Sequence, residues 1–229
     1  MAQKLDRAQV VATALRLLDE TGLEGLTLRR IATELDVKAP ALYWHFANKQ
    51  ALLDEMATEM LRRMGVDPAT VPAGWHEALA TTCRALRGGL LDHRDGAKVF
   101  SGTRLTDLDH TAGQEALLAA LVADGFELAG AVQAFFTAYA YTIGFVIEEQ
   151  AVRPQPGGQP APAYDPADRA SRIGPDRPLA AAASGGLFTD FEQRYEQGLE
   201  ILLAGIEAVI RRAPDATGPV AGREREQRP

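Results

Sequence analysis

The chain has 229 residues, 46% of them hydrophobic, and a formal net charge of −7. That length suits a small domain followed by a larger one, and the hydrophobic share is that of a globular protein rather than a disordered or fibrous one. Cys83 is the only cysteine, which excludes an intrachain disulfide and accords with a buried free thiol in a reducing cytoplasm. The opening MAQKLDRAQVV lacks the apolar core of a signal peptide, and no apolar run reaches the length of a membrane span, so a cytoplasmic protein with no membrane contact is expected. The charge is unevenly placed. Residues 1–63 carry nine Lys or Arg and nine Asp or Glu, so the surplus of −7 lies beyond them. A neutral head with local basic residues can approach DNA that an acidic body would repel.

Residues 6–21 predict a first helix, with Val10, Val11, Ala14, Leu15 and Leu18 on one stripe and Gly22 as its stop. Thr27 is a good N-cap for a second helix, in which Ile31 and Leu35 share a face and Arg29, Arg30 and Glu34 surround them. Asp36 and Val37 make a turn. Pro40 then suits the first turn of a third helix over 40–46. This helix is too short to be a core element, and Tyr43, Trp44 and His45 in succession force at least one ring outward. Asn48 caps a fourth helix, 48–64, with Leu52, Leu53, Met56 and Met60 at helical spacing.

A helix–turn–helix of this shape offers the start of its second helix to a DNA major groove. Lys38 and Lys49 can neutralise phosphates, and Tyr43 and His45 can bond phosphates or base edges. The small Ala39 and Ala41 permit close approach and contact with a thymine methyl. An ordinary helical hairpin with a solvated charged face presents the same pattern.

Gly65-Val66-Asp67-Pro68 marks a break and a domain boundary. Beyond it, residues 75–91 predict a helix with Leu79, Thr82, Leu86 and Leu90 along one side. A short helix or turn follows at 97–102, and another helix at 110–123, ended by Asp124-Gly125. Residues 128–150 form a long, nearly uncharged helix crowded with Phe135, Phe136, Tyr139, Tyr141 and Phe145. Such a helix must be covered on several sides, either as plain core or divided between a ligand pocket and a dimer contact. Residues 151–178 hold seven of the thirteen prolines and read as a mobile loop without regular helix. A short helix at 179–184 precedes Gly185-Gly186. The last helix, 188–212, carries the stripe Phe191, Tyr195, Leu199, Leu202, Ile206 and Val209, and Arg211 and Arg212 suit its C-terminal dipole. The tail, 213–229, reads as disordered.

No catalytic constellation stands out. His45, His76, His93 and His110 form no metal-spaced pair, and G-x-S-x-G and phosphate-loop motifs are absent. His93-Arg94-Asp95 lacks the Asn, the Gly-rich loop and the DFG of a kinase. Glu148 and Glu149, adjacent on a helix, point apart and make a poor acid–base pair. The expectation is a non-enzyme without cofactor or metal. The alternative is a small helical enzyme, or a ligand-binding protein acting without DNA.

The block TLRRIATELDVKAPALYWHFANKQALLDEM resembles the DNA-binding domain of the TetR family of bacterial transcriptional repressors, and LYWHFANKQALLD resembles the tetracycline repressor subgroup most. A second block, DHRDGAKVFSGTR at 92–104, is similar to that subgroup's effector domain. The resemblance implies an all-α fold: an N-terminal helix–turn–helix DNA-binding domain (1–64), then a helical effector-binding and dimerisation domain (65–212). It implies a homodimeric repressor released from a palindromic double-stranded operator by a small molecule. Gly144, Gly198 and Gly205 would let the helices 128–150 and 188–212 approach their symmetry mates. Carried over residue by residue, Thr27, Arg29, Lys38, Pro40, Ala41, Tyr43, Trp44, His45 and Lys49 face DNA, with Arg29 reading a base and Lys49 holding a phosphate. Thr82, Leu86, Phe100, Thr103, Arg104, Leu118, Phe136, Tyr139, Tyr141 and Glu148 face the effector.

Departures from the subgroup matter as much. Phe100 stands where a histidine ligates the magnesium that accompanies tetracycline. Thr82 and Leu86 replace an asparagine and a phenylalanine, Gly65 and Ala140 replace histidines, and Leu105 replaces a proline. Glu148, the subgroup's outer-shell glutamate, would not hold the ion alone. The expected effector is therefore a largely apolar, aromatic, metal-free molecule.

Overall fold

The computed structural model describes residues 5–65, 67–152, 165–184, 186 and 188–211, and among these every regular element is a helix. Asp6 opens α1 (Arg7–Gly25) by accepting the Gln9 amide at 2.7 Å. The helix does not stop at Gly22, as expected, but bends there. Gly22 takes φ 71° inside the helix, and Asp95 Oδ2 accepts the Leu23 amide at 3.0 Å to start the last turn afresh. Thr27 caps α2 (Leu28–Glu34) through the Arg30 amide, and Asn48 caps α4 (Lys49–Met64) through the Ala51 amide, as the sequence predicts. Each such cap contributes about 1 kcal/mol.

The third helix is shorter than predicted. α3 spans Ala39–Leu42, with Lys38 as N-cap, and continues to Phe46 only as tight turns closed by His45 and Phe46 amides on the Leu42 carbonyl. Two apolar ends pin it: Leu42 and Phe46 are buried with Leu18, Ile31, Leu52 and Met56 in the head core. Everything between them is free to face outward.

The body is built on α5 (Trp75–Leu91), α6 (Gly96–Phe100), α7 (Thr111–Ala123), α8 (Leu128–Val152) and α11 (Phe191–Ile206). Its core gathers Leu79, Cys83, Leu121, Ala134, Ala138, Tyr195 and Leu199. Asp124, predicted only as a helix end, also accepts the Trp75 amide at 2.6 Å and so caps α5 from across the fold. α8 has the length and composition of a membrane span, contrary to expectation. Here it carries Ala131, Ala134, Ala138 and Val146 into the body and ends on the buried Glu149 and Gln150.

Two further expectations need correcting. Within 151–178, Pro166–Ile173 forms a regular helix, α9: Asp165 caps it and Pro166 sits in its first turn, where a missing N–H costs nothing. α10 (Pro178–Ser184) follows and packs on it. α11 starts at Phe191 rather than at 188, and gives way to a π-helical turn over Glu207–Arg211. The rest of the proline-rich stretch, 153–164, together with Gly185, Arg212 and the tail, lies outside the described residues.

α4 joins head to body. Leu52, Met56 and Met60 belong to the head core, while Ala57 lies with Leu90, Ala97, Phe100, Ile143 and Val146 in a third cluster. A second joint runs from α1 to the α5–α6 corner, where Asp19 accepts the Arg94 amide at 3.0 Å and faces His93 Nδ1 at 3.1 Å.

Candidate DNA-reading surface and effector cavity

On the head, the local sequence decides which rings face solvent. With Leu42 and Phe46 turned inward, the three residues nearest them on the outer side are Tyr43, 56% exposed, Trp44, 90% exposed, and the half-buried His45. An indole so exposed buries little against the fold and is open to a partner. Arg29, Lys38 and Pro40 are exposed beside them, and the Arg29 guanidinium has no ion-pair or hydrogen-bond partner among the described residues. Lys49 is exposed, its Nζ 3.5 Å from the Leu23 carbonyl. Ala41 is half-buried, and the Thr27 hydroxyl is taken by its capping bond. The nine predicted DNA-facing residues thus lie on α2, α3, the residues beside them and the start of α4. Arg7, which the sequence did not single out, supports them from behind: Nη1 donates to the His45 carbonyl at 2.8 Å, and its guanidinium lies 4.4 Å from the Phe46 ring centroid.

The body holds a cavity of about 540 Å³ between α4, the segment 103–110, α5, α7 and α8. Of the predicted effector residues, Thr82, Leu86, Phe100, Thr103 and Tyr139 line it. The others do not. Tyr141 lies in the α8–α11 core, where its hydroxyl donates to the Tyr195 carbonyl at 3.0 Å and its ring stacks on Tyr195. Leu118 packs on the body core. Arg104 is exposed, and its backbone amide donates to Asp54 Oδ1 at 3.1 Å. Glu148 points to solvent, Gly144 and Ala140 are exposed on the same helix, and Phe136, 60% exposed, stacks over Tyr139 from outside. Leu61, Met64, Leu117, Phe135, His110 and Gln114, which the sequence did not assign to the effector, line the cavity too, as do the charged Arg62, Asp107 and Asp109.

The cavity is mostly carbon. The Tyr139 ring centroid lies 6.4 Å from that of Phe100 and 6.1 Å from that of Phe135. Burial pushes the Tyr139 phenol above its ordinary pKa, so it stays a neutral donor. His110, which forms no metal-spaced pair in the sequence, contributes a buried Nδ1 without a hydrogen-bond partner among the described residues. A lone imidazole nitrogen on an apolar wall is a hydrogen-bonding point for a ligand. Phe100 is buried in this wall and offers no lone pair, and no group of three or more His, Cys, Asp or Glu gathers to hold a metal among the described residues. A magnesium ion accompanying tetracycline would find no ligand in the Phe100 ring.

One wall of the cavity is bonded to α4 at successive turns. Asp54 Oδ1 accepts the Arg104 amide at 3.1 Å, Thr58 Oγ1 accepts the Thr106 amide at 2.9 Å, and Arg62 Nη2 donates to Asp107 Oδ2 at 2.5 Å. Thr103 Oγ1 closes the preceding turn by donating to the Phe100 carbonyl at 2.8 Å. Anything that displaces segment 103–107 therefore pulls on the helix that carries the head.

The chain matches two family models, the bacterial regulatory proteins of the tetR family over residues 10–56 and the tetracyclin repressor-like C-terminal domain over residues 67–210. It is 35% identical over 213 residues to the tetracycline repressor protein class D of Escherichia coli, covering 90% of this chain and 91% of that one. A solved structure of a possible TetR family transcriptional regulator from Streptomyces coelicolor A3(2) superposes with a TM-score of 0.76 at 41% identity, covering 89% of this chain and 100% of that one. BioQ, solved with its double-stranded DNA operator, superposes with a TM-score of 0.61 at 32% identity, covering 90% and 99%. With matches over both the head and the body, the chain belongs to the TetR family of transcriptional regulators.

Proposed function

We propose that this protein is a repressor that holds a palindromic operator as a homodimer and lets go when a largely apolar, aromatic, metal-free molecule fills its body cavity. The observation that carries the reading is α4: its N-terminal half belongs to the head core, and its C-terminal residues Leu61, Arg62 and Met64 line the cavity. One rigid element thus touches both sites, which is what coupling between a ligand and an operator requires. The ligand's rings would lie among Phe100, Phe135 and Tyr139, with His110, Gln114 and the Tyr139 hydroxyl as polar anchors. The family relationship and the exposed Tyr43–Trp44 pair support the DNA half of the reading, and they favour it over a small helical enzyme. A site on the cell's operator DNA puts the protein in the cytoplasm.

The division we adopt is a reading head over 1–64 and an effector-binding and dimerisation body over 65–212. The dimer half rests on α8 and α11, which pack on each other yet leave Leu128, Val132 and Phe136 on the first and Ile201 on the second widely exposed. A second copy would cover them, and two heads would then meet successive major grooves about 34 Å apart. Gly205 and Gly144 have open space for such an approach. Gly198 does not serve it: a side chain there would collide with the Tyr141 hydroxyl inside the same chain.

DNase footprinting on the protein's own upstream region tests the reading. A protected palindrome with half-sites one helical turn apart is expected, and protection indifferent to sequence would refute it.

A further inference from the structure

Behind the cavity wall runs a chain of charges that ends on the reading helix. Arg62, on the cavity, donates through Nη2 both to Asp107 and to Glu55 Oε1, the latter at 2.9 Å. Glu55 is buried, and its other oxygen, Oε2, accepts from Arg7 Nε at 2.9 Å and Nη2 at 2.7 Å. Arg7 spends its remaining nitrogen, Nη1, on the His45 carbonyl at 2.8 Å. That carbonyl lies between His45 and Phe46, at the end of the segment that presents Tyr43 and Trp44. Burial raises the Glu55 carboxyl, but the bonds from Arg7 and Arg62 outweigh it and hold its pKa below the usual range, so the group stays charged.

We infer that Arg62, Glu55 and Arg7 form a relay by which occupancy of the cavity alters the pose of the recognition helix, with Arg7 and Glu55 as positioning residues for operator binding. This rests on the repressor reading above. A buried carboxylate left half-bonded is costly, so it recruits the nearest donor. Arg62 also holds Asp107 through Nε at 2.8 Å and Glu59 through Nη1 at 2.9 Å, so a ligand that draws the guanidinium off the wall leaves Glu55 Oε1 without its partner. The Arg7 guanidinium is the donor at hand, and it can pivot to an end-on fork in which Nη1 and Nη2 take one Glu55 oxygen each. Doing so turns Nη1 off the His45 carbonyl and frees the end of the reading segment. The relay starts from Arg62, which also ties α4 to segment 103–107 through Asp107, and it ends on the His45 carbonyl. Its free state holds the helix, and its ligand-filled state releases it.

Arg62→Met mimics the ligand-filled state, since it removes the guanidinium and keeps the stem. Arg7→Lys keeps the charge for any phosphate contact but replaces the fork with a point charge that cannot serve Glu55 and His45 together. Operator Kd is measured for the wild type, both single variants and the double variant at one salt concentration, on the footprinted fragment. The relay requires that each single variant weaken binding by about tenfold and that the double variant also stop near tenfold, because both cut one path. Factors that multiply to about a hundredfold, or an Arg62→Met variant that binds as the wild type does, would overturn it. If Arg62→Met does not fold, Glu55→Gln replaces it in the same cycle with Arg7→Lys and is read by the same criterion. A DNA-free readout separates the relay from the repressor reading. In 15N-labelled protein, the Phe46 amide shares its peptide with the His45 carbonyl. Its resonance must move on Arg62→Met while the amides of α2 stay put. A Phe46 amide that does not move sinks the relay, whatever the DNA result. A moved amide without sequence-specific DNA binding upholds the relay and sinks the repressor reading.

Discussion

The Arg87 guanidinium and the Glu149 carboxylate form a two-point fork, Nε to Oε2 and Nη2 to Oε1 both at 3.0 Å, with both side chains buried between α5 and α8. Nη1 reaches Glu192 on α11 at 2.6 Å, and the guanidinium lies 4.7 Å from the Tyr195 ring centroid. Burial alone would lower the Arg87 pKa, but the bonds to Glu149 and Glu192 outweigh it and hold it raised. Three helices of the body thus meet on one cation. Glu149→Ala would leave that buried cation with only the solvent-exposed Glu192 as ion-pair partner and should cost about 3–5 kcal/mol. Its neighbour Glu148, exposed to solvent, should cost within about 0.5 kcal/mol on the same change. Urea unfolding of the two variants checks this, and equal losses would contradict it.

On the head, Trp44→Ala should leave the melting temperature unchanged, because the ring is 90% exposed, while operator affinity falls at least about tenfold. Arg29→Ala should cost about 1–3 kcal/mol of operator binding and relax the sequence preference at one base pair. Lys49→Ala should weaken all sequences alike and flatten the salt dependence. Equal losses on specific and random DNA for Arg29 and Lys49 would reverse the roles assigned to them.

A dimer closed by α8 and α11 should break when charge is placed on its exposed apolar face. Phe136→Lys combined with Ile201→Lys should give a monomer by light scattering at micromolar concentration, with the helical circular dichroism retained. A wild-type monomer under the same conditions would refute the interface.

Cys83 offers a check on the body core. Burial raises its thiol from 9.0 to about 11. At pH 8 the folded protein should then react with iodoacetamide about a hundredfold more slowly than the urea-unfolded chain, from thiolate fraction alone. Equal rates would mean that the core around Cys83 opens.

The head was largely legible in the sequence because its signals are local. Thr27 and Asn48 cap helices by side chains three residues from their partners, and a short turn between two apolar anchors exposes whatever lies between them. The body was less legible because its decisive contacts are long-range. Glu148 and Glu149 are identical in sequence terms, and only the packing of α5 against α8 makes one a buried partner of Arg87 and the other a solvated charge. Tyr141, assigned to the effector, points at Tyr195, because the missing side chain of Gly198 makes room for it across two helices. Proline content hid α9, since Pro166 sits where a helix tolerates it. Leu61, Met64 and His110 read as ordinary helix-face or loop residues, and they become part of a cavity only once α4 and segment 103–110 are side by side.

Phe100 makes the central claim testable in one titration. The complex of the protein with its footprinted operator is followed by fluorescence anisotropy while tetracycline is added with magnesium, and separately while a panel of polycyclic aromatic compounds is added in excess chelator. Release by an aromatic compound with the metal stripped away, and none by tetracycline with magnesium at concentrations that free the class D repressor, is the expected result. Release by tetracycline that chelator abolishes would contradict it.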